Sequence, residues 1–278
     1  MPAILISDED RSALTEAKET LENPGLAVKI VDIIGTPIEK ALTFLPPNWR
    51  DAVQNGANKA LMTALKAAVV TLDDQKGHAA SNFFHKVLCA ASGAIGGVFG
   101  LATLPVELPL STVLMLRSIA DIARSEGEDI KSIETNLACL EVFALGGRSA
   151  SDDASETGYF AVRAVLAREV SEAAKFIAEK GLVEEAPVVV RLITAIASRF
   201  GTAVSEKVAA QVVPVVGAVG GALVNILFID HFQDVARGHF TVRRLERTYG
   251  AEEIKKLYCE ISVGRPKGTH RLLASNRP

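Results

Sequence analysis

Two long stretches of this 278-residue chain carry almost no charge, and that restricts its fold before anything else is read. Residues 87–116 hold one charged side chain, Glu107, and residues 208–229 hold none. Apolar runs of this length need cover, from protein or from lipid, since about 20 apolar residues suffice to cross a bilayer. Small residues rather than rings make up the apolar mass: 49% of the chain is hydrophobic but only 5% aromatic, with a mean hydropathy of +0.24. Gly93 with Gly97, Gly96 with Gly100, and Gly217 with Gly221 recur at four-residue spacing beside Gly220. Faces without Cβ atoms let two helix backbones approach closely. Two readings stay open, a Gly-rich hairpin buried by surrounding helices and one embedded in lipid.

The rest of the chain is helical in period, and no alternating β-branched run competes. The expected class is an all-α multi-helix bundle with two central Gly-rich apolar helical hairpins. Ser7 ahead of Asp10 looks like a cap for a polar helix to Glu22, and Asn23-Pro24-Gly25 precedes a second helix to about Leu45. Pro46-Pro47-Asn48 opens a third, whose positions Val53, Ala57, Ala60, Leu61, Ala64, Leu65, Ala68, Val69 and Leu72 lay one apolar face down to Asp73. Pro105 and Pro109 predict a break after Leu104, with a further helix to about Glu126. Helices are expected at 131–145 before Gly146-Gly147, at 159–180 before Gly181, and at 187–200 before Gly201. Pro214 bends the second apolar stretch, which continues as a polar helix to Gly250. Gly93-Ala94-Ile95-Gly96-Gly97 matches Gly217-Ala218-Val219-Gly220-Gly221, and residues 122–127 resemble 245–250 at nearly the same offset. This suggests a pseudo-twofold internal repeat with a half boundary in the polar loop 149–158.

Charge divides the chain into three. An acidic N-terminal helix occupies 1–22, a single helical domain 23–260, and a basic tail 261–278. The formal charge of −3 separates into −7 on the first 260 residues and +4 on the tail, from Arg265, Lys267, Arg271 and Arg277. Near-neutrality argues against a nucleic-acid binder, and the acidic start is the reverse of a secretory n-region. Three widely spaced cysteines, Cys89, Cys139 and Cys259, point to a reducing cytoplasm rather than a disulfide framework. No phosphate loop, nucleophile elbow or His-Glu-x-x-His is present, so no catalytic motif is recognisable and no cofactor is implied.

Polar residues within the apolar pattern form the candidate site. Arg117, Asp121 and Arg124 make one stripe at helical spacing, and Glu107 and Asn225 interrupt the uncharged stretches. Further on, His239, Arg243 and Glu246 fall on the same side as Phe228, Phe232, Val235 and Val242, with Asp230, Asp234 and Arg237 opposite. Charges on an apolar side must pair with one another or with groups from another helix, because an unpaired buried charge is costly. His231 with Asp230 and Asp234, and His78 and His85 with Cys89, lack the spacing of known metal motifs, so no metal is expected.

These motifs resemble the EcsC protein family, named for a product encoded beside a bacterial ABC transporter. The resemblance rests on residues 93–97, on Leu104-Pro105-Val106-Glu107-Leu108-Pro109, on 116–123, on 214–221, and on 225 and 230–240, covering most of residues 80 to 250. It implies a helical, Gly-rich protein and supplies no catalytic residues. The expected function is a non-catalytic interaction protein at the cytoplasmic face of the inner membrane, peripheral or partly embedded, with membrane lipid or a membrane protein such as an ABC transporter as partner. The alternative is a hydrolase-type enzyme or a small-molecule or lipid binder, its pocket lined by the His, Asp and Arg motif residues.

Overall fold

The computed structural model describes residues 6–22, 26–35, 37–73, 100–147, 158–213 and 217–262, and among these the chain is helical apart from short turns. The helices are α1 (Asp8–Glu22), α2 (Leu26–Ile34), α3 (Ile38–Leu42), α4 (Trp49–Asp73), α5 (Gly100–Ser125), α6 (Ile133–Gly146), α7 (Gly158–Lys180), α8 (Pro187–Val212), α9 (Gly217–Tyr249) and α10 (Ala251–Glu260). The architecture is all-α, as the periodicity predicts. Gly93, Gly96, Gly97, His78, His85, Cys89, residues 149–157 and the four basic residues of the tail lie outside the described residues.

Local signals explain most of the helix ends. Ser7 Oγ accepts the Asp10 amide at 3.1 Å and caps α1. Gly181 and Gly250, with φ of +73° and +95°, stop α7 and α9 in the left-handed region that disfavours side chains. Three boundaries differ from expectation. The second helix divides into α2 and α3, because Gly35 turns the chain at φ +61° and Pro37 lacks an amide donor. By contrast, α5 runs unbroken through Pro105 and Pro109. Each ring keeps φ near its helical value and removes a donor, so packing on α4 can hold the path, with Leu104 and Leu108 lying against Gly56. Gly201 does not end α8; it is buried beside Val53 and Gln54, where a bare backbone admits α4.

Helix α6 occupies the centre. Every residue from Thr135 to Gly146 is buried, and α4, α5, α7, α8 and α9 all pack on it. Phe143 of α6 meets Phe200 of α8 and Phe232 of α9 at centroid separations of 5.0 and 5.3 Å, in edge and tilted geometries. A helix enclosed on all sides has its terminal carbonyls enclosed too, and neighbours supply the donors. Arg199 Nε donates to Ala144 O at 3.1 Å, and His231 Nε2 donates to Gly146 O at 2.8 Å. At the other end Ser132 Oγ accepts the Thr135 amide.

Helices α5 and α9 run in parallel at a fixed register. Ser118 accepts from Gln233, Glu126 from Thr241, and Glu128, just past the end of α5, from Arg243, each pair 115 residues apart. Helix α1 crosses α9 at Gly238, where a Cβ would lie 2.9 Å from Leu21 Cγ. Among the described helices α8 alone is long and apolar enough to cross a membrane, and half of its qualifying window is buried inside the protein. Core helices of soluble proteins share that pattern.

The α6 C-terminus leaves no room for change. A Cβ at Gly147 would fall 2.0 Å from the Arg199 carbonyl oxygen, a clash with backbone rather than with a yielding side chain. Gly147→Ala is therefore expected to lower unfolding free energy by about 3 kcal/mol or more in urea denaturation. At Gly181 nothing lies within 4 Å, so only left-handed strain acts. Gly181→Ala should cost about 1 kcal/mol.

Candidate functional site

The polar residues of α9 divide as its helical period dictates. Phe228, Phe232, Val235, His239 and Val242 are buried, while Asp230 and Arg237 are exposed. Asp234 is half-buried, paired with Arg237 at 2.8 Å and Lys29 at 3.4 Å. On α5, Asp121 and Arg124 pair with each other in solvent, and Arg117 is half-buried. Towards the other end, Glu107 meets Lys207 of α8 at 2.8 Å, with the ammonium 4.9 Å from the Phe228 ring centroid. Asn225 Oδ1 accepts from Gln211 at 3.4 Å. Asp230, His231 and Asp234 diverge, since His231 turns inward to cap α6.

His239, Arg243 and Glu246 do come together, with residues of other elements between them. Arg163 of α7 donates to both oxygens of Glu246 at 2.8 and 3.1 Å, and to Tyr159 Oη at 3.2 Å. Tyr159 Oη lies 3.0 Å from His239 Nδ1. With Arg163 donating to the phenol oxygen, the Tyr159 proton is free to point at Nδ1. The imidazole proton then resides on Nε2, which is buried with no hydrogen-bond partner among the described residues. Burial first, and then the charges of Arg163 and Arg243, hold the His239 pKa well below its ordinary value.

The second half of the network faces the turn after α5. Arg243 donates to both oxygens of Glu128 at 2.7 and 3.1 Å, and Arg247 donates to the same carboxylate and to Glu126 O. Arg244 joins Glu126 to Asp10 of α1, which also accepts from Tyr249. Burial would raise the Glu128 pKa, but hydrogen bonds and charge from Arg243, then Arg247, outweigh it and hold it low. Between the two arginine clusters lies Glu141 of α6, 6% exposed, which burial pushes up to about 7 against the pull of Arg163 and Arg243. Cys139 nearby is pushed up to about 12, also by burial, which disqualifies it as a nucleophile near neutral pH.

Chemically this is a sealed polar core. Tyr159 is 3% exposed and His239 fully buried, so a substrate would have to part α7 from α9 to reach the pair. An open cleft lies elsewhere, between α3, the start of α4 and α8, and contains none of the expected site residues. Tyr159, Arg163, Glu126, Glu128, Glu141 and Lys207 were not expected in the site. For Glu141 a signal exists, because it is the only charge between Leu137 and Gly146.

Two measurements check this electrostatic reading. Glu128→Gln strands the half-buried Arg243 and should cost about 3 kcal/mol in urea, whereas Asp121→Asn in the exposed pair should stay within about 0.5 kcal/mol. Glu141 binds its proton more tightly folded than unfolded. Its contribution is complete below the ordinary glutamate value of 4.5 and is lost as pH rises through about 7. Glu141→Gln should therefore melt with the wild type near pH 4.5 and several degrees above it at pH 8.

No curated protein and no solved structure matches the chain. The family model for the EcsC protein family matches residues 12–245. That span runs from α1 into the arginine cluster of α9 and takes in every residue of the network but Glu246, Arg247, Tyr249 and Asp10. With most of its length matched by that model, the chain belongs to the EcsC protein family.

Proposed function

We propose that this chain is a non-catalytic interaction protein that docks on the cytoplasmic face of a membrane through one uncharged end of its helical bundle. The parallel register of α5 and α9 is the observation that supports this. A 115-residue offset sets the start of α9 beside the start of α5, so residues 100–116 and 217–229 lie together at one end while Glu126, Glu128 and the arginines gather at the other. At the uncharged end Val106 is 75% exposed, Ile226 53% and Leu223 40%. Glu107, the one charge in residues 100–116, is paired with Lys207 of α8. An apolar surface flanked by few charges is costly in water and suits the acyl boundary of a bilayer.

The basic tail adds to the same reading. Four cationic residues and no acid after residue 260 would be drawn to anionic lipid headgroups. A membrane protein partner, such as an ABC transporter of the kind encoded beside the product for which the family is named, would present itself at the same surface.

Sedimentation with vesicles tests the proposal. The protein should pellet with phosphatidylcholine–phosphatidylglycerol vesicles at low salt. Val106→Asp combined with Ile226→Asp should weaken the partition at least about tenfold while leaving the melting temperature unchanged. Neutralising Arg265, Lys267, Arg271 and Arg277 should remove the salt-sensitive part of binding. Protein that stays wholly in the supernatant at low salt overturns the membrane assignment.

A further inference from the structure

The cleft between α3, α4 and α8 has a volume of about 370 Å³ and a mixed lining. Ile38, Leu42, Trp49 and Val53 are its apolar part. Gln54, Thr202, Ser205 and Glu206 supply polar groups. The Ser205 hydroxyl proton is committed to Gly201 O at 2.6 Å, so its oxygen faces any ligand as an acceptor. Gly201 forms the floor, where the absence of a Cβ lets the Gln54 amide oxygen approach α8; a Cβ would lie 3.4 Å from it. Arg50 is drawn back over the Trp49 ring, its guanidinium 5.4 Å from the centroid. Glu206 is half-buried and makes no hydrogen bond or ion pair with the described residues.

Glu128, Glu246 and Glu107 have arginine or lysine partners, and Glu141, which has no ion pair among the described residues, is sealed in the interior. Glu206 instead lines an open cleft together with Trp49 and Ser205, half-buried and with no cation paired to it among the described residues. Independently of the membrane reading, we propose that this cleft binds a small organic cation, a primary ammonium or guanidinium on a short apolar stem. Glu206 receives the charge, the Ser205 oxygen accepts a further N–H, and the stem lies along Trp49 and Leu42. A cation entering the cleft supplies the counter-charge the fold omits, and its stem covers apolar lining that is otherwise wet.

Burial pushes the empty-cleft Glu206 pKa up to about 7. Only the carboxylate attracts an ammonium, so binding draws the proton off and is linked to pH. Affinity should fall as pH drops below about 7, approaching tenfold per unit, and binding at pH 7 should release about half a proton per ligand.

Trp49 is the chain's one tryptophan, so intrinsic fluorescence reports on this cleft alone. With the full chain and n-hexylammonium or agmatine as probes, we expect a saturable change in Trp49 emission at millimolar concentration or below. Calorimetry in buffers of different ionisation enthalpy should show the proton release. Glu206→Gln should weaken binding at least about tenfold and abolish the pH dependence. Thr202→Leu, which fills the cleft and keeps Glu206, should block the probes as a second check on a folded variant. Failure of both amines to give saturation at about 10 mM overturns the site, as does n-hexanol binding as well as n-hexylammonium. Unchanged affinity in Glu206→Gln would do the same.

Discussion

Enclosing α6 on every side is the constraint on which the rest of the bundle depends. A surface helix leaves its terminal amides and carbonyls to water, but α6 has none near its C-terminus, so neighbouring helices must approach closely enough to supply donors. Arg199 and His231 do so from α8 and α9, and both can reach only because Gly146 and Gly147 lack side chains. Those contacts fix where α8 and α9 lie along α6. The Phe143, Phe200, Phe228 and Phe232 cluster then fills the space between them.

Charge plays a structural part around that core. Arg163 and Arg243 are each held by a bidentate carboxylate from another element, a geometry that favours arginine over lysine. The two pairs flank Glu141 and His239, whose charged forms burial disfavours, so the interior carries matched ions at its edge and titratable groups of suppressed charge within. Lys18 repeats the device on α1, where its ammonium, 3% exposed, donates to Tyr258 O and Ile261 O at the end of α10. Glu22 adds another joint, accepting the Tyr159 amide at the start of α7 and the Tyr258 hydroxyl.

What could be read from sequence followed from periodicity. The α4 stripe from Val53 to Ala68 is buried as its spacing requires, and α9 turns His239 inward and Arg237 outward as a 3.6-residue repeat dictates. Periodicity is silent where a helix is buried all round, so α6 reads as an ordinary helix although it is the centre. It also misjudges breakers. Pro105, Pro109 and Gly201 are punctuation in isolation, but packing against α4 overrides them, whereas Gly35 and Pro37 have no such support. Partners were the least legible feature. His239, Arg243 and Glu246 point to a buried network from their own spacing, but Glu128 and Arg163 come from elements that no local pattern connects to α9. The cleft was invisible for the same reason, since Trp49, Gln54 and Glu206 share no helix face.

The fixed offset between α5 and α9 also governs the order in which this chain can mature. Arg243 finds Glu128 only after 115 intervening residues have been made, and Arg244 reaches back 234 residues to Asp10. Until α9 leaves the ribosome, α1 lacks its main partner and the turn after α5 lacks the arginines that pair with Glu126 and Glu128. Contacts this distant are slow to form, so the unfinished protein exposes its uncharged segments for longer than a bundle of neighbouring hairpins would. The bundle therefore closes only once α9 is complete.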